Sequence, residues 1–173
     1  STGDYGIYAL IISLSLTLCY LTSFGLPQAI VYFIGKQTIQ ATRLVSTYLW
    51  LICLIGVAVS IVAYVVRDYP LTTVLRELPR QYFVPVLILY VLSFIDASLL
   101  SVMRGLKNFA IYNLRRLLNP SIYLLGAVVV VLVLGASVTS LITVYTVVVG
   151  CLAGWLAYLV ISRTSIEYRF DPG

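Results

Sequence analysis

Long apolar stretches follow one another almost from end to end of this chain, and each is long enough, or nearly so, to cross a lipid bilayer. Charges and turn residues separate five of them, at 5–34, 44–66, 82–103, 117–134 and 138–162. A helix needs roughly 20 residues, at about 1.5 Å per residue, to cross a hydrocarbon core of about 30 Å. Charged residues make up 10% of the chain and its mean hydropathy is +1.05, whereas soluble domains carry about 25% charged residues. The sequence therefore predicts an integral membrane protein.

The spans are predicted to be helices rather than the strands of a membrane barrel. Barrel strands alternate apolar and polar residues, and the run VVVVLVL at 128–134 does not alternate. In lipid each segment must satisfy its own backbone hydrogen bonds, which favours helix even for β-branched residues. The predicted fold class is all-α, a multi-pass transmembrane helical bundle with five spans.

The basic residues of the loops predict the orientation of the chain, because Lys and Arg are enriched on the cytoplasmic side. Taken alternately, one set of loops holds eight of the 11 basic residues and the other set holds three, Arg67, Arg76 and Arg80. We therefore expect Ser1 outside and Gly173 inside, in a multi-pass protein of the cytoplasmic membrane. The net charge of +5 is then mostly an orientation signal, and nucleic acid is not an expected partner.

Asp96 is a carboxylate inside the apolar run 82–103. A charge at the centre of a membrane helix costs about 2.5 to 3.5 kcal/mol on insertion scales, so such residues usually face protein or water. Arg104 lies eight residues further along, roughly 12 Å by helical rise, which makes direct pairing improbable. A partner on another helix or in a missing bundle, a bound cation and a proton remain open. So do three roles: a conformation-locking ion pair, a coupling-ion or substrate site, and an end-of-helix position in water.

Two proline-containing segments predict hinges. The first span is too long for one straight crossing and contains SFGLPQ at 23–28, where Pro27 lacks an N–H and Gly25 relieves crowding. We expect a kink or break near Gly25, either to accommodate length or as a functional hinge. Pro120 is the second predicted hinge. The polar stretch 108–118 before it is expected to lie along the inner membrane surface, and the chain is expected to turn into the fourth span at the proline.

Two pairs of residues, one just before the fourth span and one within the fifth, suggest further roles. Arg115 and Arg116 are either inner-surface anchors or, if one points inward, a group that would grip phosphate with two parallel hydrogen bonds. Gly150 and Gly154 form a small-xxx-small pattern that lets helices approach closely. We expect them to be helix-packing residues.

The residues that most enzymes use are missing from the sequence. Histidine is absent, Cys19, Cys53 and Cys151 form no CxxC pair, and Gly35-Lys36 is followed by Gln37 rather than Ser or Thr. These absences remove the commonest acid–base residue, a zinc or thiol redox site and a nucleotide-binding loop. We expect no enzyme activity, no catalytic residues, no cofactor and no metal site.

Three segments together resemble a known family: GDYGIYAL at 3–10, SFGLPQAI at 23–30 and MRGL at 103–106. Their order and spacing are similar to those of polysaccharide flippases of the multidrug/oligosaccharidyl-lipid/polysaccharide exporter superfamily, which have two bundles of six helices around a central cavity. The resemblance implies that the five spans are helices two to six of the first bundle. It also implies that the tail at 168–172 begins an inter-bundle linker, and that the first helix and second bundle are missing.

The function that this resemblance implies is movement of a lipid-linked oligosaccharide, carried on a polyprenyl pyrophosphate, across the cytoplasmic membrane by alternating access, for cell-surface polysaccharide synthesis. The expected partners are the bilayer, the lipid-linked oligosaccharide and a proton or sodium ion for coupling. The expected substrate-path residues are Asp96, Arg104, Arg115 and Arg116. Two alternatives stay open: a cation-coupled multidrug exporter of the same superfamily, and a membrane-embedded transferase acting on lipid-linked sugars.

Overall fold

The computed structural model describes residues 2–36, 41–66, 80–133 and 138–164, and nearly all of these residues are helical. Within these ranges the chain forms six helices and no strand, as the predicted all-α class requires. The helices are α1 (Thr2–Ser23), α2 (Leu26–Lys36), α3 (Ala41–Val66), α4 (Arg80–Gly105), α5 (Phe109–Val133) and α6 (Val138–Thr164).

Four stretches are long and apolar enough to cross a membrane: Gly6–Ser23, Arg43–Val66, Tyr82–Gly105 and Thr139–Ser162. They correspond to the first, second, third and fifth predicted spans. The predicted fourth span, 117–134, falls within α5 but ends at a residue outside the described ranges, as does the predicted linker at 168–172. The fold is thus that of a membrane protein with four candidate spans, and the fifth crossing stays a prediction.

The predicted break in the first span is confirmed, because α1 ends at Ser23 and α2 begins at Leu26. Phe24 and Gly25 between them have φ values of 41° and 74°, the left-handed region that glycine adopts most readily. The Gly25 carbonyl accepts hydrogen bonds from the amides of Gln28 and Ala29, both at 3.0 Å. Pro27 lies in the first turn of α2, where a helix needs no N–H. The chain therefore stops one helix and starts another within two residues.

The expectation that the chain turns into the fourth span at Pro120 is wrong, because Pro120 is not at a helix boundary. α5 runs without interruption from Phe109 to Val133, so 108–118 is not a separate surface segment. A proline inside a membrane helix is tolerated when neighbouring groups satisfy the backbone that it frees. Pro120 has no N–H for the Arg116 carbonyl four residues back, and α5 nevertheless continues past it, as α4 continues past Pro85.

α4 is the central helix, since it packs against each of the other five. α1 runs alongside α4 in the same direction. The hydroxyl of Ser15 donates to the Val86 carbonyl, and further along both helices the hydroxyl of Tyr90 donates to that of Thr22. α3 runs the opposite way, because Tyr64 pairs with Phe83 at one end while Gly56 faces Phe94 further along.

α5 packs mainly against α6, in the antiparallel direction. Tyr123 contacts Tyr145, and Gly126, three residues later, approaches Val144, which precedes Tyr145. A Cβ built on Gly126 would lie only 2.8 Å from Val144 Cγ1. Glycine therefore permits this close approach.

The outer surface of the bundle is apolar, as a lipid-facing surface should be. On α3 the large side chains that point away from the other helices recur at helical spacing, at Trp50, Leu54, Ile61 and Val65. The buried side of α3 includes Val45, Tyr48 and Ile52, which pack into a core cluster with Tyr90 and Phe94 of α4. In water such a surface would be an aggregation hazard, whereas in a bilayer it needs no cover.

We predict that Gly126→Leu destabilises the protein by about 1 to 3 kcal/mol, the usual cost of overpacking. The added side chain would meet Val144, so a second change, Val144→Ala, should recover part of the loss. Unfolding of purified protein in detergent measures both effects.

The matched control is Gly154→Leu on α6, because nothing in the described structure lies within 4 Å of a Cβ at that position. It should unfold like the wild type. Equal losses in the Gly126 and Gly154 variants would contradict the close approach of α5 and α6.

Candidate functional site

The most unusual feature of the bundle is an ion pair buried between α4 and α5. Nη2 of Arg115 lies 2.8 Å from Oδ1 of Asp96, and Nε of Arg115 donates a hydrogen bond to the same oxygen at 3.2 Å. The Arg115 side chain is 1% exposed and that of Asp96 is 12% exposed. A charge in such surroundings is tolerable only when it is paired, because desolvation of a lone ion costs several kcal/mol.

A tight turn between the two helices sets the direction of α5. Lys107 has a φ of 58°, the amide of Lys107 donates to the Arg104 carbonyl at 3.1 Å, and the amide of Asn108 donates to the Met103 carbonyl at 3.0 Å. This is the Schellman pattern that ends helices. Asn108 then begins α5, accepting bonds from the amide of Tyr112 at its carbonyl and from the amide of Ile111 at its side chain. The turn folds α5 back onto α4.

One face of α5 is polar along much of its length. Arg115, Asn119 and Tyr123 follow at intervals of four residues and so lie on the same side of the helix. Two atoms on this face, Nη2 of Arg115 and Oδ1 of Asn119, are buried without a hydrogen bond of acceptable geometry in the described structure. Such atoms are uncommon in folded proteins and need an explanation.

Tyrosines continue the polar face away from the ion pair. The hydroxyl of Tyr123 hydrogen-bonds that of Tyr8 on α1, and its ring packs edge-on against Tyr145 of α6 at 4.9 Å between centroids. Asp96 also interacts electrostatically with Tyr145 and, on α1, with Cys19. Polar groups from α1, α4, α5 and α6 therefore meet in one region of the bundle.

The structure brings together two of the four predicted substrate-path residues. Asp96 and Arg115 form the pair. Of the partners that the sequence left open for Asp96, the structure shows a partner on another helix. Arg104 is exposed at the end of α4 and Arg116 is exposed on α5. Neither is part of the buried site, and Arg104 does not pair with Asp96.

The predicted packing glycines differ from each other. A Cβ on Gly150 would lie 3.7 Å from Leu92 of α4, an ordinary contact, whereas Gly154 faces open space in the described structure. The closer approaches are at Gly126 and at Gly105, where a Cβ would lie 3.0 Å from Ile34 of α2. The hinge role of Gly25, Pro27 and Pro120 stays a prediction.

Sequence reasoning missed Asn119, Tyr8 and Tyr123 as parts of the polar region. The i, i+4, i+8 spacing of Arg115, Asn119 and Tyr123 was the available signal. It also distinguishes Arg115 from Arg116, because only Arg115 shares a face with the other two polar residues.

Comparison of the chain with protein-family models, with curated proteins and with solved structures finds no match. The fold and the buried pair indicate an all-helical membrane protein with four candidate spans and a charged site between one of these, on α4, and the helix α5. The resemblance to polysaccharide flippases therefore rests on the sequence segments alone and stays a prediction.

We predict that removal of either charge is strongly destabilising and that removal of both is less so. Asp96→Asn or Arg115→Gln alone leaves a buried charge unpaired and should cost about 3 to 5 kcal/mol. The double variant should lose clearly less than the sum of the two single variants. Unfolding in detergent measures this cycle.

Lys36→Gln removes an exposed charge at the end of α2, away from the pair, and should change stability by about 0.5 kcal/mol or less, as surface substitutions usually do. Additive losses in the Asp96 and Arg115 variants would contradict a direct interaction between the two side chains.

Proposed function

We propose that the chain is part of a transporter that moves a polyprenyl-pyrophosphate-linked oligosaccharide across the cytoplasmic membrane. The observation that carries the proposal is Arg115, a guanidinium held beside Asp96 between membrane helices. Intramembrane ionisable groups usually mark substrate or ion pathways. The resemblance of 3–10, 23–30 and 103–106 to polysaccharide flippases supports the choice of substrate.

In this proposal α5 also crosses the membrane, which adds one crossing to the four candidate spans and makes α5 the fourth of five in chain order. It has 25 residues, about 37 Å at the rise of an α-helix, and it lies antiparallel to α6, itself a candidate span. Arg115 on α5 lies level with Asp96, which is within the candidate span Tyr82–Gly105. The five crossings then belong to the first of two bundles, with Ser1 outside and Gly173 inside according to the basic residues of the loops.

Arg115 is the proposed ligand of the pyrophosphate. A guanidinium presents its donors in a planar fork that matches phosphate oxygens, and its attraction for an anion is stronger in a low-dielectric cavity than in water. Tyr123 and Tyr145, further along the polar region, would offer hydroxyls and ring faces to sugars. The lipid tail would remain in the bilayer while the head group crosses, and no covalent bond changes.

The helix break supports the alternating-access part of the proposal. The left-handed residues Phe24 and Gly25 divide the first span into two rigid helices, and hinges commonly consist of a few residues at element ends that absorb changes in φ and ψ. Movement of α2 relative to α1 would alter the packing of Ile34 against Gly105 on α4.

The test uses the complete protein reconstituted in liposomes with a fluorescent polyprenyl-pyrophosphate-linked sugar. A membrane-impermeant quencher reports the fraction of the lipid in the outer leaflet. We expect the wild type to equilibrate the lipid between leaflets, Arg115→Gln to lose at least about 90% of the rate, and Asp96→Asn to be impaired although it still inserts into membranes.

Lys36→Gln, normalised for the amount of reconstituted protein, is the control and should match the wild type. Unchanged export in Asp96→Asn would remove Asp96 from the mechanism. Absence of lipid movement in the wild type, combined with cation-dependent efflux of a drug from the same vesicles, would replace the proposal with the multidrug exporter.

A further inference from the structure

The Asp96–Arg115 pair is an incomplete one. A carboxylate has two oxygens and commonly binds arginine through both, in two parallel hydrogen bonds. Here a single oxygen, Oδ1 of Asp96, faces both Nε and Nη2 of Arg115, and only the contact with Nε has hydrogen-bond geometry. The two donors on that edge of the guanidinium therefore share one carboxylate oxygen, and the contact of Nη2, at 2.8 Å, is an ion pair without hydrogen-bond geometry.

The second unsatisfied atom lies one turn away on the same face of α5. The side chain of Asn119 has a buried oxygen without a partner in the described structure. An asparagine amide can rotate to present either its oxygen or its NH₂ to the same space. Asn119 can therefore donate to an anion or accept from a protonated phosphate oxygen.

The position of the pair favours exchange of partners. α4 packs less extensively on α5 than on the other helices, so the seam that contains the pair is the least tightly held contact of the central helix. Asp96 is the more exposed of the two side chains. An incoming anion would thus meet the Asp96 carboxylate first. That carboxylate occupies the edge of the Arg115 guanidinium to which the anion would bind.

We propose that Asp96 is an internal competitor that occupies the anion-binding edge of Arg115 in the absence of substrate, and that Asn119 is a second ligand of the anion that displaces it. The proposal rests on the proposed function for the nature of the anion, a pyrophosphate. Several phosphate oxygens can satisfy Nε, Nη2 and the Asn119 amide together, which one carboxylate oxygen cannot do.

The exchange would couple binding to movement. With Asp96 on Arg115, the pair ties α4 to α5. With the pyrophosphate on Arg115, that tie is broken, and the released Asp96 takes up a proton, because an unpaired buried charge is costly. A ligand that binds the untied arrangement better shifts the population toward it, so substrate binding would loosen the seam in which it binds.

The experiment measures binding of inorganic pyrophosphate, and separately of farnesyl pyrophosphate, to the purified complete protein by isothermal titration calorimetry. Asp96→Asn should lower the Kd of both ligands by about tenfold or more, because the competitor is gone. Asn119→Leu should raise it about tenfold, the effect of losing one hydrogen bond to a charged group. Arg115→Gln should abolish binding.

Two matched controls lie outside the site. Asn113→Leu removes an exposed amide from the same helix, and Lys36→Gln removes an exposed charge at the end of α2. Both should leave the Kd unchanged. Tight binding of farnesyl pyrophosphate with equally tight binding of inorganic pyrophosphate identifies the phosphates as the recognised chemistry, whereas binding that depends on the prenyl chain alone overturns the proposed exchange.

A second measurement uses the wild type and so does not depend on the folding of any variant. Infrared difference spectra recorded on addition of pyrophosphate should show a change in a carboxylate stretching band as Asp96 leaves Arg115. A spectrum without that change overturns the proposal, as does a Kd that is unchanged or higher in a folded Asp96→Asn protein. Tighter binding in Asp96→Asn without lipid movement by the wild type would instead refute the transport function and leave the exchange standing.

Discussion

The buried pair of Asp96 and Arg115 is the interaction that constrains the arrangement of α4 and α5 most strictly. Each charge alone would be costly in a low-dielectric interior, and each makes the other tolerable. Since the two residues are on different helices, the pair can exist only if α5 folds back along α4 to bring Arg115 level with Asp96. The turn around Lys107 and Asn108 provides that geometry, and the packing of α5 on α6 maintains it.

Backbone conformation and small residues arrange the remaining helices around this pair. The two left-handed residues at Phe24 and Gly25 end α1 and start α2, so that α2 can follow α4 to its end, where Ile34 meets Gly105. Gly126 allows α5 to approach α6 closely. In lipid the helices gain little from burying apolar surface against one another, and close backbone approach together with a few polar contacts provides much of the association.

Hydrophobic pattern together with glycine and proline positions was enough to predict the helical class, the break at Gly25 and the approximate limits of the helices other than α5, because these are local properties of the sequence. The partner of Asp96 was not predictable in this way, since it depends on the orientation of a neighbouring helix. Arg115 and Arg116 are adjacent in sequence but lie about 100° apart around the helix, so one is buried and the other exposed. Likewise, the pattern that identified Gly154 says nothing about which face of α6 has a neighbour. The helix through Pro120 shows that a local helix-breaking signal can be overridden in a membrane protein.

The central claim is that Arg115, and not its neighbour, faces Asp96 across the seam between α4 and α5. Cysteine pairs introduced at 96 and 115, and at 96 and 116, in a protein otherwise free of cysteine test this claim in native membranes with a short bifunctional thiol reagent. The structure predicts efficient cross-linking of the 96–115 pair and little of the 96–116 pair. Preferential cross-linking of 96 to 116, or none to 115, would contradict it.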